Sequence, residues 1–207
     1  MTAEPVEVLT VGHSNLPYER FLDLLRRIGV TAVADVRTAP YSRHFPQFNR
    51  DTLRDALRGD GLAYVFLGAE LGGRPKDERL FRDGVADYEK MAATADFAKG
   101  LERVIDGAKK YRIVMMCSEQ DPLDCHRCLL VGRALHRQGI AVRHILSSGA
   151  IADHSQIEER LMALSGRLEA DLFEPHAQRL AAAYRERGAK VAYSEGKAVS
   201  GEPVAAE

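Results

Sequence analysis

Apolar positions along the chain follow two rhythms. Short, mostly apolar runs of strand length lie at Val6 to Val11, Val30 to Val36, Leu62 to Leu67, Tyr111 to Met116 and Ala141 to Leu146; each suits a buried strand and is short for a helix. Between the runs the apolar positions recur at helical spacing. Phe21, Leu22, Leu24, Leu25 and Ile28 give one helix an apolar face, which Gly29 ends. Asn49 or Asp51 starts a short helix through Leu57, and about Tyr88 to Lys109 reads as helical. Asp121-Pro122 reads as an N-cap with proline at the first helical position, opening a helix to about Gln138 that Gly139 stops. Strands alternating with helices predict a parallel sheet with right-handed crossovers. The fold class expected is α/β: an open three-layer α/β/α sandwich, Rossmann-like, with a mainly parallel five-stranded sheet and a helical C-terminal extension.

The pattern changes after Gly149. Ser155 to Ser165 and Phe173 to Arg187 are helical patterns of mixed charge, and the end of the chain is small, polar and acidic. This divides the chain into an α/β domain over 1–150, a helical extension over 151–193 and a disordered tail over 194–207. The extension either packs on the domain or mediates self-association as a homodimer.

Charge narrows the partners. With 29 Lys and Arg against 30 Asp and Glu, the formal net charge is -1, so no global field draws the chain to nucleic acid. Arginine far outnumbers lysine, which suits carboxylate or phosphate recognition but also follows from genome composition. No apolar leader and no long apolar span is present, so a soluble, cytoplasmic protein with no membrane partner is expected. Three cysteines, an odd number, do not make a disulfide scaffold; in a cytosolic chain they point to thiols, a metal or core packing.

Four polar clusters follow four of the strands: His13-Ser14, Asp35 with Arg37, Glu70 with Gly72-Gly73-Arg74, and Cys117 with Glu119 and Cys125-His126-Arg127. In a parallel sheet these ends share one edge, the edge where open α/β sheets bind ligands. Cys125, near the start of a helix and beside His126 and Arg127, is a candidate thiolate nucleophile; the plainer reading is a half-buried small residue. The spacing is not that of a C-x5-R phosphatase loop, since Val131 and Leu123 stand six residues after Cys125 and Cys117. Cys117 can serve as a resolving thiol or share a metal with Cys125. Cys117, Cys125 and Cys128 with His13 or His126 offer donors for zinc, but no second C-x-x-C pair supports it, and no cofactor is expected. Cys128 spaces with Gly132 and Leu135 and suits core packing. Arg37 and Arg127, with Arg43 and Arg74 in reserve, can clamp an anion through their guanidinium forks; the competing reading is an internal ion pair, such as Arg37 with Asp35 or Glu119. His13 or His126 can move protons or simply bond a backbone carbonyl. Residues 37–58 carry five arginines against two acids, interleaved with Tyr41, Phe45 and Phe48; this fits base stacking, or aromatics that anchor a loop. The Gly68–Gly73 loop has neither dinucleotide-binding nor P-loop spacing, though Gly72 and Gly73 allow close backbone approach to a ligand.

Together, Thr10-Val11-Gly12-His13-Ser14, Asp35-Val36-Arg37 with Pro40, Ser42-Arg43 and Phe48, Leu67-Gly68 with Leu71-Gly72-Gly73, and Cys117-x-Glu119-x-Asp121-Pro122-x-x-Cys125-His126-Arg127 resemble the bacterial and archaeal domain of unknown function 488 (DUF488) family. The resemblance runs through about residues 6–146 and leaves 151–207 uncovered. It implies an α/β domain with a polar site built from these motifs, with emphasis on Cys117, Cys125, His126 and Arg127 rather than Cys128. It implies no reaction.

Two kinds of function fit these residues. One is an enzyme, a Cys-dependent hydrolase or transferase acting on a phosphorylated, nucleotide-like or nucleic-acid-borne substrate. Arg37 and Arg127, with Asp35, Ser14, Arg43, Glu119, Gly72 and Gly73, would form its binding surface, and Cys125, Cys117, His13 and His126 would carry its chemistry. The other is a non-catalytic module that binds nucleic acid or a partner through residues 37–48, with structural, redox or metal-bound thiols.

Overall fold

A computed structural model of the chain describes residues 6–169 and 173–194. Each apolar run becomes a strand of the main sheet: β1 (Glu7–Gly12), β2 (Ala32–Asp35), β3 (Ala63–Phe66), β6 (Ile113–Cys117) and β7 (Ala141–Ile145). Every position of β2 and β6 is buried, as expected for strands covered on both faces. The intervening helices are α1 (Tyr18–Ile28), α2 (Arg50–Gly59), α3 (Gly68–Leu71), α4 (Tyr88–Ala92), α5 (Ala95–Ala108) and α6 (Arg133–Arg137).

The main sheet has six strands rather than five. β8 (Ile151–Asp153) adds to the edge of β7, giving the order β3-β2-β6-β1-β7-β8. β8 runs antiparallel to β7 and all other pairings are parallel. With three residues, β8 is too short to show an alternation, which is why the sequence pattern does not reveal it. A separate hairpin joins β4 (Phe81–Arg82) to β5 (Val85–Ala86). Its two turn residues, Asp83 (φ 51°) and Gly84 (φ 74°), both take the left-handed backbone that a tight hairpin requires.

The helices form two layers around the sheet. Phe21, Leu25, Leu53 and Leu57 of α1 and α2 pack against Leu9, Val11, Val33, Val114 and Met116 on one face. Phe97, Leu101 and Val104 of α5 and Leu135 of α6 pack against Val8, Ala34, Ile113 and Met115 on the other. The extension adds α7 (His154–Leu164) and α8 (His176–Val191). Ile157, Leu161, Ala183 and Tyr184 close over Leu123, Cys128 and Leu129 of the same chain. Of the tail read at 194–207, Ser194 bridges Val85, and residues 195–207 lie outside the described part. Among the described residues no helix is long and apolar enough to cross a membrane.

The stretch after β6 departs from the single helix expected. Asp121 does act as a cap, accepting the Leu123 N–H at 2.8 Å. Only a 3-10 turn follows, Pro122–Asp124, and Cys125 is extended at φ -138°, ψ 138°. The helix then restarts as a π-helical segment, Arg127–Gly132, which runs into α6.

Candidate functional site

Because β6 lies between β1 and β2, the chain leaves three adjacent strands at one place. Gly12 sits opposite Cys117 and Asp35 opposite Met116. The loop after Cys117 crosses directly over the end of β1: a Cβ on Gly12 would lie 1.8 Å from the Glu119 carbonyl oxygen, so only glycine fits. The N–H groups of His13 and Ser14 donate to the carbonyls of Cys117 and Ser118, both at 2.9 Å, and extend the ladder. Arg127 holds the same loop from below, its guanidinium donating to the carbonyls of Glu119 and Gln120 at 2.6 and 2.9 Å.

Four electron-rich atoms meet under this loop. Cys117 Sγ and Cys125 Sγ each lie 3.0 Å from Glu119 Oε2. His126 Nδ1 is 3.7 Å from Cys117 Sγ and 3.9 Å from Cys125 Sγ. His126 Nε2 lies 2.9 Å from the Val36 carbonyl; only a protonated Nε2 can bond a carbonyl, so Nδ1 is the ring nitrogen that faces the sulfurs. The Arg127 backbone N–H donates to Cys125 Sγ at 3.4 Å.

The electrostatics divide the two thiols. Burial pushes the Cys117 thiol well up, helped by its hydrogen bond with Cys125 and the charges of Cys125 and Glu119. Burial also opposes the Cys125 thiolate, but the Cys117 hydrogen bond, the Arg127 charge and His126 outweigh it and hold Cys125 well below an ordinary thiol. Glu119 is raised, first by burial and then by the charge of Cys125.

A cavity of about 150 Å³ opens above this group, with Cys117, Glu119 and His126 on its floor. Arg37, Arg74, Tyr88 and Tyr193 contribute walls. Cys125, 1 % exposed, does not line it. Gly73 lies flat on the histidine: a Cβ there would come within 2.7 Å of His126 Cγ. Gly72 packs likewise on Thr38, whose Oγ1 a Cβ would meet at 2.3 Å. Arg74 sits over the Tyr193 ring with its guanidinium carbon 5.2 Å from the centroid.

The arginines divide between two duties. Arg37 lines the cavity, yet its fork is taken up internally: Nε and Nη2 donate to Asp35 at 2.9 and 2.6 Å, and Nη2 also donates to the Phe48 carbonyl at 2.8 Å. Arg127 is fully buried and off the cavity. Of the expected clamp pair, Arg127 thus has a loop-holding role, because its two Nη atoms bond backbone carbonyls while its buried Nε has no partner among the described residues. Arg43 is exposed on the 37–48 linker, and Ser14 lies against a different depression with Gln120 and Leu146. His13 also lies off the cavity. Its Nδ1 bonds the Ser14 carbonyl at 2.8 Å, its Nε2 faces Arg37 Nη1 at 3.1 Å, and its ring stacks on Phe48 with centroids 4.0 Å apart. Burial and then the Arg37 charge lower its pKa to about 4, so it is neutral at neutral pH with its lone pair engaged.

A family model for the domain of unknown function DUF488 matches residues 17–134. The chain belongs to the DUF488 family. Neither a curated protein nor a solved structure matches it. The matched stretch contains every floor residue of the cavity together with Asp35, Arg37, Gly72, Gly73, Arg74 and Tyr88. His13 and Ser14 precede it, and Val191 and Tyr193, which close one side of the cavity, follow it. In this DUF488 chain the cavity is therefore finished by the C-terminal extension.

Two cavity residues escaped the sequence pattern. Tyr88 reads as the start of a helix and Tyr193 as the end of the extension, and neither stands near a motif. Burial, then the charges of Cys125 and Cys117, push the Tyr88 phenol up, which places it within electrostatic reach of the sulfurs.

Proposed function

We propose that the protein is an enzyme that acts on a small anionic substrate held in the cavity over the Cys117–Cys125 centre. The observation that carries this reading is the gathering of two sulfurs, His126 Nδ1 and the Glu119 carboxylate beneath an opening lined by arginine. Four such groups placed together in a desolvated pocket are a costly arrangement for packing alone. Arg74 supplies the guanidinium not already bonded to a carboxylate or carbonyl, and Tyr88 adds a hydroxyl. The cavity volume suits a phosphate-sized group rather than a whole nucleotide, so any larger substrate presents only its anionic end. Iodoacetamide alkylation of Cys117, read by mass spectrometry with and without inorganic phosphate, tests this. Phosphate should protect Cys117, and Arg74→Ala should weaken the protection. Equal rates at every phosphate concentration would overturn the reading.

A second reading, a nucleic-acid or partner-binding surface, draws on Tyr41, which is 73 % exposed beside exposed Arg43 and His44. It calls for single-strand binding that weakens with salt and with Arg43→Ala. Phe48 works against it, being buried against His13 and Phe21 as an anchor of the linker.

A further inference from the structure

We infer that Cys117 Sγ, Cys125 Sγ and His126 Nδ1 together bind one divalent, thiophilic cation of the zinc class, with Glu119 beside the two sulfurs. The ligand set stands on its own geometry; only the function given to the ion rests on the cavity being the substrate site.

The donors come from separate pieces of backbone: the last residue of β6, the extended residue Cys125 and the helix start at His126. The ligand atoms of Cys117, Cys125 and His126 all lie within 4.8 Å of one another. A tetrahedral ion with bonds of about 2.3 Å to sulfur and about 2.0 Å to nitrogen sets sulfur–nitrogen edges of about 3.5 Å. The observed 3.7 and 3.9 Å edges fit within a few tenths of an ångström. Glu119 Oε2, 3.0 Å from each sulfur, stands beside that group of three rather than within it.

The histidine is prepared for a ligand. Its Nε2–H is fixed on the Val36 carbonyl, the outer bond that orients metal-binding imidazoles. Gly73 against the ring face limits its rotation. Charge points the same way. Once an ion is bound, two thiolates beside the Glu119 carboxylate carry three negative charges, and among the described residues no lysine or arginine pairs with Glu119. A divalent ion together with the Arg127 guanidinium balances them. Two sulfurs and an imidazole select a borderline-soft ion over magnesium or calcium.

A second cluster, Cys128, His144 and His154, also brings donors within 4.8 Å, but its lone pairs are spent. Tyr184 OH donates to Glu158 at 2.9 Å, which makes it the acceptor for His154 Nε2, also at 2.9 Å. His154 Nδ1 then accepts from His144 Nε2 at 2.9 Å, and His144 Nδ1 from Thr10 Oγ1 at 2.8 Å. That chain of tautomers is complete without an ion.

Cys117, Glu119 and His126 border the cavity while Cys125 lies behind them. An ion held by this set is reached from the cavity, so an anionic substrate oxygen meets it between Arg37, Arg74 and Tyr88.

The test uses the full chain, stripped with a chelator under reducing conditions and titrated with Co²⁺. One equivalent should saturate, with sulfur-to-cobalt charge-transfer bands in the near ultraviolet and tetrahedral bands in the visible, and Zn²⁺ should displace it. Cys117→Ser and Cys125→Ser should each lose the charge-transfer bands or their stoichiometry, and Cys128→Ser should keep both. Glu119→Gln, the mildest change, should leave a weaker complex with altered visible bands, with circular dichroism checking that each variant folds. Absence of charge-transfer bands in the folded wild-type chain, or equal bands in folded Cys125→Ser, overturns the ion. Phosphate separates the two readings. Protection of Cys117 by phosphate in a chain that binds no cobalt removes the ion and leaves the substrate site. Cobalt binding that phosphate neither perturbs nor competes with keeps the ion and removes the small-anion site.

Discussion

Replacing Asp35 by asparagine removes one charge from a pair that solvent cannot reach. The Asp35 side chain is 0 % exposed and that of Arg37 7 %. The carboxylate accepts from Arg37 Nε at 2.9 Å, Arg37 Nη2 at 2.6 Å, the Arg37 backbone N–H at 3.1 Å and the Tyr64 hydroxyl at 2.8 Å. An asparagine offers one oxygen to these donors and turns its own N–H groups toward the rest. The guanidinium meanwhile stays buried, held by the Phe48 carbonyl. Removing one partner of a buried ion pair costs about 3–5 kcal/mol. At about 2–4 °C per kcal/mol for a chain of this size, Tm should fall by roughly 10 °C. Urea denaturation followed by circular dichroism measures the free energy directly. Tyr64→Phe, which removes a single hydrogen bond to the same carboxylate, should cost about 1 kcal/mol and serves as the internal scale. Adding Arg37→Met to the Asp35→Asn chain should restore stability, because it removes the stranded charge. A loss for Asp35→Asn below about 1 kcal/mol, the value of an exposed pair, would refute the reasoning. Arg37 would then be free to turn to the cavity as an anion clamp.

Other consequences are equally direct. Burial, followed by the charges of His136 and Arg133, lowers His154 to about 3 in the fold against about 6.5 unfolded. The unfolded chain therefore binds more protons below about pH 6.5, and stability, full above that value, should fall by up to about 1.4 kcal/mol per pH unit as pH drops toward 3. His154→Gln should flatten this slope in urea titrations, and an unchanged slope assigns the acid sensitivity to other groups. Tyr184→Phe breaks the Thr10–His144–His154–Tyr184–Glu158 chain at its exit and leaves His154 Nε2–H without an acceptor, so it should cost about 1–3 kcal/mol by thermal or urea melts; a neutral result dissociates α8 from that chain. Gly12→Ala forces the Glu119 carbonyl off β1 and should destabilise the chain by about 1–3 kcal/mol. It should also accelerate Cys117 alkylation, since the loop above Cys117 can no longer close; an unchanged rate places the strain elsewhere.

Much of the fold was legible because its strands are strong periodic signals. Val30 to Val36 and Tyr111 to Met116 are mostly apolar runs, and they supply β2 and β6, buried at every position. What escaped was short or built from contacts between segments far apart. β8 contributes two apolar residues, Ile151 and Ala152, and is defined by its pairing with Ile145 and His144 rather than by its own pattern. Tyr193 joins the cavity because the end of the extension returns to β5, where the Ala86 N–H donates to the Tyr193 carbonyl at 2.8 Å; no local spacing records such a return. The arginines show the same limit. Sequence distinguishes neither a clamp from an ion pair nor a pocket from a loop, and both Arg37 and Arg127 spend their forks on neighbours that the fold supplies.

The site itself depends on the one element that the local pattern misplaced. Had the helix run without interruption from Asp121, Cys125 and His126 would be consecutive helical residues, and such neighbours do not face each other. Their side chains would diverge around the axis, and one of the two would leave the group around Cys117. The extended backbone at Cys125 turns its sulfur toward Glu119 and lets the imaging of the next side chain start afresh from a helix beginning at His126, so that Cys125 Sγ and His126 Nδ1 meet at 3.9 Å. The π-helical segment that follows buries Arg127 beneath the Glu119 loop while Cys128 and Leu129 enter the core shared with α7 and α8. π-Helical turns concentrate at functional sites because the irregular backbone costs stability and persists where it places side chains that a regular helix cannot. Here the broken helix brings sulfur, imidazole and carboxylate to one point, and the convergence and the irregularity have the same origin in Cys125.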